Sequence, residues 1–137
     1  MSAALAAFGT LLKRATVTIA EVTKLDLPNL KLDTVDVTSH SSTGGWKEFI
    51  GTLKDGGTFS ADINYVPVTA THKNAAGGLL SDFSAQSINA YSIVIPDSPA
   101  STWSFNALVT DFKATAPVDG KLAATVTFKV TGAVTLP

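Results

Sequence analysis

The sequence predicts a mainly β protein, an antiparallel β-sandwich or partly closed barrel of about seven strands with one α-helix. Period-two alternation is the first sign. It is cleanest at residues 58–66, where Phe59, Ala61, Ile63 and Tyr65 fall on one face and Thr58, Ser60, Asp62 and Asn64 on the other. Such a run makes a strand with one buried and one wet face. Turn chemistry is the second: Lys54-Asp55-Gly56-Gly57, Pro96-Asp97-Ser98 and Pro117-Val118-Asp119-Gly120 punctuate the runs, and these residue types supply the dihedrals turns need. The third is that only residues 70–84 carry a helical stripe.

In chain order, residues 8–14 and 16–25 read as two strands with a short turn near Ala15. Val17 and Ile19 alternate there with Thr16 and Thr18, and β-branched side chains favour extended backbone. Leu27-Pro28-Asn29 breaks the run. Residues 30–38 form a third strand, with Lys31 and Asp33 pointing away from Leu30 and Leu32. A Ser/Thr/Gly-rich loop follows, then an amphipathic patch, Trp46-Lys47-Glu48-Phe49-Ile50. Large apolar side chains on a loop serve a partner better than water. Pro67 ends the 58–66 strand because it cannot donate to a ladder.

In the helical stretch 70–84, Ala75, Ala76, Leu79, Leu80 and Phe83 share a stripe and Thr71 is a candidate cap. Gly77 and Gly78 each cost about 1 kcal/mol relative to Ala, so this helix forms only when packed on a sheet. Residues 88–95, 102–112 and 121–131 complete the strands. Trp103, Phe105, Ala107 and Val109 share one face, as do Leu122, Ala124, Val126, Phe128 and Val130.

With 137 residues, the chain is expected to form one domain over 1–137. It has no cysteine, which excludes disulfides, thiol catalysis and Cys-ligated zinc. Charged residues make up 15%, against roughly 25% in an ordinary soluble domain. Thr, Ser and Ala stand where Lys and Glu usually do, a surface suited to self-contact. A net charge of −1 and a single arginine, Arg14, argue against a basic nucleic-acid-binding face. The N-terminal MSAALAAFGTLLKR lacks a leading positive charge, and no run approaches membrane-spanning length. Synthesis and use in a cytoplasm, without a membrane, are expected.

No catalytic constellation emerges. Ser39-His40-Ser41 sets a hydroxyl beside an imidazole, but no orienting acid accompanies them. His72 is expected at the surface near a helix start. Asp26, Asp33 and Asp36 lack the ligand spacing of a calcium loop. Gly44-Gly45 and Gly56-Gly57 lack the Lys-Ser/Thr of a phosphate-binding loop. The expectation is a protein with no enzyme activity, cofactor or metal.

The pieces resemble, in order and spacing, the major tail tube protein of long-tailed bacteriophages from about Phe8 to Leu136. They are FGTLLKRATVTIAEVTKLDLPNLKLDTVDVTS, then SSTGGWKEFIGTLKDGG leading into TFSADINYVP, then the helix, IPDSPASTWSFNALVTDF, APVDG and KLAATVTFKVTGAVTL. The resemblance implies a virion subunit, made in the host cytoplasm, whose hexameric rings stack into a hollow tail tube for DNA ejection. It also implies tape-measure, tail-tip and terminator proteins as partners. Some relatives carry a C-terminal immunoglobulin-like domain, and none is expected here. The family's long loop between the third and fourth strands reaches across rings. That segment is 39–54, with Ser39, His40, Ser41, Ser42, Thr43, Gly44, Gly45, Trp46, Lys47, Glu48, Phe49 and Ile50 as inter-ring residues. The alternative is that Trp46, Phe49 and Ile50 fold back on their own sheet.

Duplex DNA carries one negative charge per roughly 1.7 Å of axis, so a cationic channel would hold it. Thr58, Ser60, Asp62 and Asn64 present no cation and are the lumen-lining candidates. The outer face of the last strand, with Lys121 and Lys129, is the poorer candidate. Strands 16–25 and 121–131 show little edge protection and are expected to be completed by neighbouring subunits. Residues 1–7 and the SSTGG loop are expected to order only on stacking. Two rivals remain: a secretion-system tube subunit of similar architecture, and a monomeric β-sandwich binding module with aromatics gathered in one pocket.

Overall fold

A computed structural model describes residues 4–137. Nine strands and one short helix follow in the order β1 (Leu11–Arg14), β2 (Val17–Thr18), β3 (Val22–Leu25), β4 (Lys31–Asp36), β5 (Phe49–Asp55), β6 (Thr58–Asn64), α1 (Leu79–Ser84), β7 (Asn89–Ile95), β8 (Ser101–Thr115) and β9 (Ala123–Thr135). Seven strands make one antiparallel sheet, ordered β2-β1-β7-β8-β9-β6-β3, and β4 and β5 form a separate hairpin. The large sheet curls into a half-barrel about its apolar face, where Phe59, Ile63, Tyr91, Ile93, Phe105, Val126 and Phe128 are buried. Phe59 stacks on Phe128 at 4.6 Å between centroids, with Phe105 edge-on to Phe59 and Tyr91 edge-on to Phe128. The alternation in β6, β8 and β9 thus sorts side chains as their period-two patterns dictate.

The expected 16–25 strand is interrupted. Glu21 takes a φ of 63°, which no strand tolerates, and residues 19–21 pass from one end of the sheet to the other. Ile19 N–H donates to Leu12 O at 2.8 Å, and Asn64 N–H donates to Glu21 O at 2.8 Å. The two ends of the curled sheet are therefore tied by the chain itself.

Only Leu79–Ser84 of the expected 70–84 helix is helical. Gly78 is the N-cap, with extended φ/ψ, and Lys73 O lies where its Cβ would be. Phe83 is exposed, while Leu79 is buried. Thr71 is not the cap: its hydroxyl accepts from Ala20 N–H at 3.2 Å.

His72 is fully buried rather than at the surface. Its Nδ1 accepts from Val66 N–H at 3.2 Å, so Nε2 carries the proton and donates to Ala20 O at 2.8 Å. This pins the 66–78 connection across the sheet ends. A lone histidine in a Thr-rich stretch carries no periodic signal that would reveal it.

Candidate assembly surfaces

The β4–β5 hairpin is an arm with no buried residue along either strand. Phe49 and Ile50, read from the sequence as loop residues, open β5. The sequence hides this strand because Gly51 and a register shift between Leu32 and Thr34 break its alternation. Exposed apolar side chains crowd the arm: Trp46 is 77% exposed, Leu53 74%, Phe49 55%, Leu32 55% and Ile50 54%. Folding back on the parent sheet is not seen. A free two-stranded ribbon bearing such side chains is marginal alone and gains from a partner.

Residues 39–48 form the arm's tip, with a 3₁₀ turn at Thr43–Gly45. Serine hydroxyls brace its conformation. Ser39 N–H donates to Ser42 Oγ at 3.0 Å, and Ser42 Oγ donates to Glu48 Oε2 at 2.8 Å. Glu48 N–H donates to Thr38 Oγ1 at 2.8 Å, closing the loop's neck. Bonds from the Thr38 hydroxyl and backbone N–H hold the Asp36 carboxyl below the usual range. His40, Ser41 and Lys47 are exposed beside these groups, and the Trp46 ring lies over Gly44. Of the expected disorder over residues 1–7, the part at residues 1–3 lies outside the described residues.

The arm joins the body at Gly56-Gly57. Gly57 has a φ of 69°, and a Cβ there would stand 2.2 Å from Asn29 O. A Cβ on Gly56 would stand 2.5 Å from Val130 Cγ1. Asp55 Oδ1 accepts from Gly57 N–H at 2.8 Å and lies 3.6 Å from Lys129 Nζ. These contacts, the Gly57 bond first, hold the Asp55 carboxyl below its ordinary range.

Opposite the core, the sheet presents a polar outer face. Thr58, Ser60, Asp62 and Asn64 lie on it, as predicted from the period of β6. Their partners on β9 are Lys129, Thr127, Thr125 and Ala123, and paired residues share a face. Lys129 therefore stands beside Thr58 on the same surface, and Lys24 of β3 pairs with Asp62. The contrast drawn between a cation-free β6 face and a lysine-bearing last strand does not hold. Lys121 lies in the turn before β9. The face is of mixed charge and hydroxyl-rich: Thr125 Oγ1 donates to Asp62 Oδ1 at 2.8 Å, Ser60 Oγ to Asp26 Oδ2 at 3.0 Å, and Asn64 Nδ2 to Glu21 Oε1 at 3.3 Å. Lysines, carboxylates and hydroxyls interspersed in this way hydrate an anion without concentrating positive charge.

Strand β9 is interior, paired on both sides with β6 and β8. The expectation that a neighbouring subunit completes the 121–131 edge is thus overturned. The sheet's terminal strands are β2 and β3.

Among the described residues, no group of three or more His, Cys, Asp or Glu side chains gathers as a metal site, and no helix is long and apolar enough to cross a membrane. The exposed aromatics are dispersed, with Phe8 near the N-terminus and Trp46 and Phe49 on the arm.

No curated protein matches the chain. Residues 3–137 match the family described as lambda phage tail tube protein. A chain from the virion of a native gene transfer agent particle is similar at 19% identity and a TM-score of 0.77, covering 98% of this chain and 99% of that one. A chain from the tail of an empty gene transfer agent particle, computed with C6 symmetry, is 20% identical with a TM-score of 0.75 and the same coverage. A chain from an extracellular contractile injection system, in its sheath/tube terminator, is 11% identical with a TM-score of 0.74 over 99% of this chain and 98% of that one. The fold is common to phage-like and injection-system particles.

Proposed function

The chain belongs to the lambda phage tail tube protein family, and from that premise we propose that its arm and its polar face are the working surfaces of a stacked-ring tube. The protein is a structural component of the virion tail. Six copies close a ring, rings stack, and DNA passes through the bore during ejection. The observation that carries this is the arm: a ribbon with both strands exposed and Trp46, Phe49, Ile50 and Leu53 open to solvent.

Residues 39–50 act between rings. Thr58, Ser60, Asp62 and Asn64 line the channel together with Thr125, Thr127 and Lys129, which share their face. Lys24 beside Asp62, and Lys129 beside Asp55, offset one another's charge, so the wall binds no duplex strongly. Terminator, cap and baseplate components occur in the particles this fold is found in. Tape-measure, terminator and tail-tip proteins are the partners proposed for this chain.

Negative-stain microscopy of concentrated protein, alone and with a tail-tip nucleus, tests the proposal. Six-fold rings and hollow rods are expected. A chain that stays monomeric under both conditions would sink it.

A further inference from the structure

We propose that the arm tip of one copy seats in a groove at the arm base of a copy in the adjoining ring; this rests on the stacked-ring reading above. The groove, of about 650 Å³, lies between the root of the β4–β5 arm and the C-terminal end of β9. Leu30, Leu32, Val134 and Leu136 give it an apolar wall, and Leu30, Leu32 and Leu136 remain 43%, 55% and 53% exposed. Lys31 and Lys54 stand on its rim. Asp55, also on the rim, lies 3.6 Å from Lys129 and directly opposite Lys31 across the arm, so Lys54 carries the rim's surplus positive charge.

The tip has the complementary character. Trp46 is its largest exposed apolar group, and Asp36 and Glu48 outnumber Lys47 around it. A tip cannot enter the groove of its own chain. Strands of 6 and 7 residues separate the two, and at about 3.4 Å per residue the arm holds its tip on the order of 20 Å from its base. The contact is consequently heterologous: one surface donates, a different surface receives, and every copy carries both. Contacts of that kind close into a ring where the rotation between copies closes and propagate where it does not, and copies displaced from one another along the ring axis cannot close. Stacking of rings along one axis is the form that propagation takes.

Absence of native cysteine makes cross-linking clean. Lys47→Cys and Ala133→Cys chains, each changed at an exposed position beside the proposed anchors rather than at them, are mixed, assembled and oxidised. A disulfide-linked dimer of one chain of each kind is expected in rods and not in isolated rings, and the doubly substituted chain yields a ladder of multimers. As a second measurement, Leu136→Asp should leave rings intact while lowering rod yield at least about tenfold, as loss of a central anchor does. Glu48→Lys should lower it too, with recovery when Lys31 and Lys54 are both changed to Glu. Rods from the unaltered chain with no mixed dimer, or mixed dimer already present in isolated rings, overturn the groove assignment alone. An unaltered chain that forms neither rings nor rods overturns the tube reading and the groove contact with it.

Discussion

Arg14 and Asp82 form a two-pronged ion pair across 68 residues of chain, Nε to Oδ2 at 2.7 Å and Nη2 to Oδ1 at 2.9 Å. Asp82 is almost wholly buried in α1, so the pair fastens that short helix to β1. Tyr91 OH donates to the same Oδ2 at 2.5 Å, and Arg14 Nη2 also donates to Asn89 Oδ1 at 3.0 Å. The chain's single arginine is thus a structural clamp. Arg14→Ala leaves the Asp82 carboxylate without its partner in the interior. A loss of about 3–5 kcal/mol is expected, read by urea denaturation of the monomer. Asp82→Asn should cost less, since the amide keeps an acceptor and carries no charge.

Tyr91 supplies a pH dependence. Burial first, then the Asp82 carboxylate, push its phenol far above the ordinary tyrosine value. A folded-state value raised above the unfolded one means the fold keeps a proton that the unfolded chain releases near pH 10. The stabilisation is complete below about pH 10 and declines as pH rises toward the folded value. Melting curves of the unaltered protein should fall away above pH 10 more steeply than those of Tyr91→Phe. Equal slopes would contradict the assignment.

His72 bridges two backbone groups. His72→Ala strands Ala20 O and Val66 N–H in the interior, and a destabilisation of about 2–4 kcal/mol is expected. Hydrogen exchange should report the loss first at residues 19–22 and 66–72, the segments the ring joins.

Gly57 sits where no side chain fits. Gly57→Ala adds a Cβ that meets Asn29 O, a backbone atom that cannot step aside, at a positive φ that itself costs about 1–2 kcal/mol. A total of at least about 2–3 kcal/mol is expected, with the arm's amides exchanging faster. If Gly57→Ala melts with the unaltered chain, the turn is not the rigid root described.

Trp46 and Phe49 invert that pattern. Both are more than half exposed, so replacing each with Ala should change monomer stability by no more than about 0.5 kcal/mol. Rod formation, scored by microscopy or sedimentation, should fall sharply. Parallel loss of folding and assembly would show that the arm serves its own chain.

Acid should loosen the arm's root. The Gly57 N–H and Lys129 hold the Asp55 carboxyl below its usual value, so its contribution is present above the unfolded value near pH 4 and is lost as pH falls through the folded one. Protection of the amides at residues 49–57, measured against their intrinsic exchange rate at each pH, should fall in acid in the unaltered chain, and already at neutral pH in Asp55→Ala.

The sequence by itself determined which residues form the sheet's core and which its wet face. The period of two in residues 58–66, 102–112 and 121–131 sorts the side chains of a pleated strand, except Leu122, which stands before β9 and is 37% exposed, and β-branched residues with Gly- and Pro-rich turns place most strand ends. Membership of the tail tube family is legible there as well, in the order of the pieces. Only the tertiary structure decided what pairs with what. Val126 lies in a central strand paired on both sides, so a proline there breaks the fold itself rather than an edge between subunits. Lys129 shares a face with Thr58 because antiparallel register, not strand composition, chooses neighbours. The arm's second strand, the burial of His72 and the Arg14–Asp82 clamp were invisible for the same reason. Each depends on groups distant in the chain meeting when the sheet curls, and such meetings leave no periodic trace in a one-dimensional pattern.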